Sequence, residues 1–176
     1  EDVVLAYDDV MGTADRDNHG TKLAGLALYE ALKGSLASTA PIKVTHTVES
    51  VKILYMSNQR GPDLYGEIAK QAIDRAFVAK PKQNRVFCTG ITAEESEITD
   101  GLPTSWSAAL DEAISHADDP SSEHELVLIS SGNIPLDMLN GTVYPDANEI
   151  RSVRTPGQSW NALTVGAYSE NAQVEE

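Results

Sequence analysis

Apolar and polar positions alternate along this chain in short runs and longer amphipathic stretches. Val3 to Tyr7 is an apolar run, and Asp8 to Asp17 is polar. The run reads as a strand and the polar stretch as a loop. From Gly20 to Lys33, Leu23, Ala24, Leu26, Ala27, Leu28, Ala31 and Leu32 cover most of a helical circumference. A helix apolar on so many sides is predicted to be central and buried between other layers, with Gly34 as its C-terminal stop. Ser35 to Pro41 reads as turn. Ile42 to Met56 reads as strand material, most strongly at Val51 to Tyr55. Asp63 to Lys80 is the clearest amphipathic helix, because Leu64, Ile68, Ala72, Ile73, Ala76 and Phe77 share one face. Pro81 ends it. Arg85 to Ile91 reads as a buried strand. After an acidic loop, Ser105 to Ala117 reads as a helix with Trp106, Ala109, Leu110, Ala113 and Ile114 on one face. Glu125 to Ser130 is another buried strand. A long irregular connection with three prolines, Pro135, Pro145 and Pro156, leads to a last strand near Ala162 to Ala167.

Strands that alternate with helices predict an α/β fold with a mostly parallel sheet. Right-handed crossovers then put helices on both faces, which makes three layers. In such sheets ligands bind beyond the carboxyl ends of the strands, and Asn133 lies immediately past one of those ends. A chain of 176 residues is enough for one domain with a full core and too short for two ordinary ones.

Charge narrows the partners. Lys and Arg number 13 against 27 Asp and Glu, a formal charge of −14. This argues against a nucleic-acid surface, which needs clustered cations, and against adsorption to anionic membranes. No apolar run is long enough to span a bilayer. No signal-peptide pattern is visible, which tilts the expected compartment toward the cytoplasm. The single cysteine, Cys88, excludes an internal disulfide, and its neighbours Val86 and Phe87 predict a buried, inert thiol.

Chemistry concentrates at two places. The first is Asn18-His19-Gly20-Thr21-Lys22-Leu23-Ala24-Gly25, which sets a titratable ring at the mouth of an apolar helix. Gly20 leaves backbone space for something to approach. A histidine here is a candidate general base and acid, since its unperturbed pKa lies near neutral; the rival reading is a helix-capping or surface histidine. The second is Ser130-Ser131-Gly132-Asn133, where Gly132 would let the chain turn and present the Asn133 amide. A fixed amide donor stabilises an oxyanion in preference to the ground state, although Gly-Asn is also ordinary turn chemistry.

These segments, with Ala162-Leu163-Thr164-Val165-Gly166-Ala167 after them, resemble in kind and order three motifs of the subtilisin-like serine proteases, or subtilases. The motifs are His-Gly-Thr-x-Val-Ala-Gly, with Leu23 in place of Val, then Ser/Ala-Ala-Gly-Asn, then x-x-Thr-Val-Gly-Ala. The resemblance covers about Asp17 to Tyr168, the middle of a subtilase domain. It implies a serine endopeptidase acting on peptide or protein substrates, with His19 as base and Asn133 as oxyanion donor. It also implies that Gly90-Ile91-Thr92, where the family usually has Ser-Leu-Gly, pairs with an extended substrate; an ordinary strand end fits these residues as well.

The resemblance is incomplete. The family's orienting aspartate sits in Asp-Ser/Thr-Gly, whereas Tyr7-Asp8-Asp9-Val10 lacks the glycine and Asp8 stands only 11 residues before His19. The nucleophile motif Gly-Thr-Ser-x-Ala is expected after the Val165-Gly166-Ala167 strand. Thr104 to Ala109 imitates it, but with Pro103 for glycine and on the wrong side of Asn133, so Ser105 reads as a helix N-cap. The expectation is an internal fragment, inactive alone, whose aspartate lies before Glu1 and whose serine lies after Glu176. Such a fragment would expose a sheet edge through which it dimerises. Two rivals remain: a non-catalytic subtilase relative that binds peptides in the same cleft, and an unrelated α/β ligand-binding module.

No cofactor is implied. A structural calcium would suit the resemblance, but no motif supports one. Asp15-Arg16-Asp17-Asn18-His19-Gly20 begins like a calcium loop, yet its fifth position is His19 and its twelfth is Leu26, where a glutamate is needed. Gly20 and Gly25 have phosphate-loop spacing without the Lys-Ser/Thr that must follow. His116 and His124, with Asp118, Asp119 and Glu123, read as a solvated turn rather than a metal site.

Overall fold

The computed structural model describes residues 3–6, 9–29, 32–54, 64–93, 102–115, 125–134, 146 and 152–167. The chain forms two compact units, Glu1–Gln83 and Asn84–Glu176.

In the first unit, β1 (Val4–Ala6) pairs in parallel with β2 (Ser50–Lys52), with Leu5 opposite Val51. Between them run a 3-10 turn (Asp9–Met11), α1 (His19–Tyr29) and α2 (Leu32–Leu36). The long helix α3 (Tyr65–Ala79) follows β2 and touches both strands. Its stripe of Ile68, Ala69, Ala72 and Ala76 is buried, and Ile68 and Ala72 pack against Met11, Tyr65, Val51 and Ile53. Lys80 is extended, with φ −139°; the following Pro81 disfavours the helical conformation there, so the helix stops where the sequence predicts.

The other elements of this unit depart from expectation. The strand material expected from Ile42 to Met56 is described as far as Leu54, and within 42–54 it yields Ser50–Lys52, which pairs with the three residues of β1. Gly34 is inside α2 rather than at a helix stop. No residue of α1 is fully buried, and Leu26 is more than half exposed. Among the described strands α1 is contacted chiefly by three-residue β2, too small a surface to cover a helix apolar on most sides.

The second unit is built on a parallel sheet in the order β3–β4–β5, with strands Val86–Thr89, Leu126–Ser130 and Leu163–Val165. Thr89 pairs with Ile129, and Ser130 with Val165. Parallel neighbours need a crossover, and α4 (Ser105–Ser115) lies in the one joining β3 to β4. It buries Trp106, Ser107, Leu110 and Ile114. The central strand is the core, with Val127 at 3% and Ile129 at 1% exposure. Among the described residues β3 is the outer strand of this sheet, and its alternate residues Val86 and Cys88 are exposed, so the cysteine is exposed rather than buried.

Thr104, not Ser105, caps α4. The Ser107 amide donates to Thr104 Oγ1 at 3.1 Å while the Thr104 amide donates to Ser107 Oγ at 2.8 Å. This is the reciprocal exchange of a capping box, with serine at the third helical position. Ser105 comes one residue too late, as the first residue of the helix. No helix among the described residues is long and apolar enough to cross a membrane.

Candidate active site

His19 is the first residue of α1, in the first unit, and it is exposed. The chain reaches it through a tight polar loop. Asn18, just before the helix, has φ +59°, a left-handed conformation that asparagine tolerates better than most residues. Its carbonyl accepts from the Lys22 amide at 3.0 Å, which closes the first helical turn. Asp15 ties the loop together. Its Oδ1 accepts the amides of Asp17 and Asn18 at 3.2 and 3.0 Å. Its Oδ2 accepts the amide and hydroxyl of Thr21 at 2.8 and 2.6 Å. These donors, the Thr21 hydroxyl first among them, hold the Asp15 carboxyl below the usual carboxylate range. A β-carbon added at Gly20 would lie 3.6 Å from Asp15 Oδ2, so Asp15 is what borders the space at that glycine. Lys52 of β2 donates to the Ala14 carbonyl at 2.6 Å, fastening the loop to the sheet of its own unit. At the other end of α1, His46 Nε2 donates to the Ala27 carbonyl at 2.7 Å.

Asn133 belongs to the second unit. The β4 strand continues one step past its end, since the Ser131 amide donates to the Val165 carbonyl at 3.0 Å. The Ser131 carbonyl accepts the Arg154 amide at 3.1 Å. Gly132 then turns the chain at φ +95°. A β-carbon there would fall 2.6 Å from Arg154 Cδ and 2.8 Å from its Cβ and Cγ. Both the dihedral and the arginine stem therefore require glycine. Asn133 follows as an exposed residue beyond the carboxyl end of the central strand.

Gly90, Ile91 and Thr92 extend from β3, the neighbour of β4 in register. The structure thus brings Gly90–Thr92 and Asn133 to the carboxyl ends of adjacent parallel strands in one unit, while His19 stands in the other. Ala93 donates its amide to the Thr155 carbonyl at 2.8 Å, which joins this segment to the turn after Arg154. That turn contains a cis Thr155-Pro156 bond.

Sequence reasoning missed three residues that shape these segments: Asp15, Arg154 and Asp111. Asp111 of α4 accepts at Oδ1 from Ser159 Oγ, Trp160 N and Asn161 N at 2.5, 2.8 and 2.8 Å. It fixes the loop before β5, where Trp160 is 86% exposed. The only advance signal for Asp15 was its calcium-loop spacing, and nothing marked the other two. Asp8 and the group from His116 to His124 lie outside the described residues. Among the described residues no three His, Cys, Asp or Glu side chains are grouped to hold a metal.

A family model described as the Subtilase family matches residues 3–176. No curated protein and no solved structure matches the chain.

Proposed function

The chain belongs to the subtilase family of serine peptidases, and from that premise we propose a serine endopeptidase in which His19 is the general base and acid and Asn133 the oxyanion donor. The observation that carries the proposal is the chain path at Gly132. Its left-handed turn presents Asn133 past the end of the central strand, beside the exit of β3. A side-chain amide in that place suits the anionic oxygen of a tetrahedral intermediate. Gly90, Ile91 and Thr92 are the substrate-binding segment, whose backbone pairs with an extended peptide. His19 takes the proton of an attacking serine and returns it to the leaving amine. No serine of this chain is given the role of nucleophile, and no residue that of orienting aspartate.

The test uses the whole protein that contains this chain, with unfolded casein as substrate and a fluorophosphonate probe for an activated serine. His19→Ala should abolish probe labelling and lower kcat by more than about 1000-fold. Asn133→Ala should lower kcat by about 100- to 1000-fold with KM retained, as removal of the oxyanion donor does in subtilisin. Cleavage that persists unchanged in His19→Ala would overturn the proposal. Casein binding without cleavage or labelling would instead identify a peptide-binding relative.

A further inference from the structure

Gly20 and a left-handed Asn18 flank His19, and both are positions of high backbone freedom. The first turn, His19 to Lys22, is exposed, so burial does not hold it. Yet the two oxygens of one carboxylate reach both sides of the histidine. Oδ1 takes two amides before it, and Oδ2 takes an amide and a hydroxyl after it. We propose that Asp15 is a positioning residue for His19, its carboxylate locking the loop and first turn so that the ring is presented in one orientation. The proposal rests on the reading of His19 as the base.

The chemistry of the donor set fits this role. All four donors point at an acceptor, and a carboxylate is the one side chain that offers two acceptor oxygens and no donor. An asparagine of the same shape would turn an N–H toward two of them. The lowered pKa of Asp15 has the same origin, because the donors stabilise the charged form. The same saturation answers the calcium-loop spacing of the sequence. Four donors occupy the lone pairs that a cation would need, so the carboxylate that begins that pattern is a tether and not a ligand. Thr21 is then the second half of the device, since it supplies both donors on the helical side.

The experiment is NMR on this chain, comparing Asp15→Asn, Thr21→Val and, as control, Thr104→Ala. The readouts are the χ1 coupling constants of His19 and the exchange rates of the Asn18 and Thr21 amides. Asp15→Asn should average the His19 couplings toward a rotamer mixture and speed Thr21 exchange by at least about 10-fold, as expected of a locally opened segment. Thr21→Val should do the same more weakly. Thr104→Ala removes the hydroxyl that caps α4 and should lower the melting temperature while leaving the His19 couplings unchanged. Couplings and exchange rates that stay unchanged in Asp15→Asn would overturn the proposal. In the whole protein, Asp15→Asn should lower kcat with little change in KM. None of the NMR readouts requires proteolysis. A His19 ring freed in Asp15→Asn, in a protein that still cleaves casein as His19→Ala, would overturn the base assignment and leave the tether standing.

Discussion

His19 is reached through a loop that one exposed carboxylate ties together, whereas Asn133 is reached through a strand anchored by the buried Val127 and Ile129. The first arrangement depends on a few polar contacts, those of Asp15 spanning at most six positions and one from Lys52 reaching back to Ala14. The second depends on a sheet assembled from segments far apart, with Ile129 opposite Thr89 on one side and Thr164 on the other. A polar tether can be cut without unfolding what surrounds it. A core strand cannot, because what it positions and what it stabilises are the same object. The two units differ in charge as well: residues 1–83 carry 10 basic and 11 acidic side chains, and residues 84–176 carry 3 and 16. Arg154, packed against Gly132, is one of those three cations, so the turn that, among the described residues, demands glycine on both counts also holds scarce positive charge.

The comparison breaks most severely at Ile129. Truncating it to alanine in a site 1% exposed should destabilise the second unit by about 2–5 kcal/mol. Urea unfolding measures this, and signals from Thr21 should be untouched at denaturant concentrations where those of Gly132 are lost. If both move together, the two units are one cooperative body and the contrast fails. Gly132→Ala comes next. It places a β-carbon against the Arg154 stem in a left-handed conformation and should cost about 1–3 kcal/mol. Its amide shifts should change at 131–133 and 154 while the strand pairing of Ile129 persists.

Acid provides a gentler probe. Folding lowers the Asp15 pKa from its ordinary 3.8, so the tether's stabilisation is fully present above that value. It drains away as pH falls through the lower folded value. The Thr21 amide should titrate there, and Asp15→Asn should erase the step. Arg16, Asp17, His19 and Lys22 share the segment with Asp15, and Lys52 of β2 is fastened to it at the Ala14 carbonyl. The smallest effect is expected from Asp9→Asn. Asp9 meets Arg75 at 2.6 Å, and that guanidinium holds its carboxyl low, but the carboxylate is exposed and water screens it. A shift in melting temperature at the limit of detection is expected, lost entirely in high salt.

Periodicity and punctuation were enough for some elements. α3 was legible because its apolar positions recur at helical spacing and Pro81 closes it, and α4 and β4 were legible for the same kind of reason. What failed was information that resides in a neighbour. The apolar circumference of α1 says that something could cover it, not how much of β2 is there to do so. The extent of β2 is that of its partner β1, three residues long. The exposure of Cys88 follows from its sharing a face of β3 with exposed Val86, a face whose covering the sequence does not state. Helix caps are decided by a single hydroxyl, so reading Ser105 for Thr104 is an error of one residue with a different donor. Among the candidate residues, His19 and Asn133 stand out in the sequence because each sits in a distinctive string of letters. Asp15 was not, because an aspartate in a polar stretch carries no sign of which amides will turn toward it.

The chain has two tryptophans, and both lie in the second unit: Trp106 is 5% exposed and Trp160 is 86% exposed. Indole emission shifts to the red in water, so this pair makes the protein a two-colour optical reporter. Acrylamide should dim the red component at once and spare the blue one until α4 leaves the core. A fluorescence melt therefore reports through indoles that both lie in residues 84–176. Residues 1–83 carry no tryptophan of their own, so a variant at His19 needs a second probe in that unit before it is judged intact.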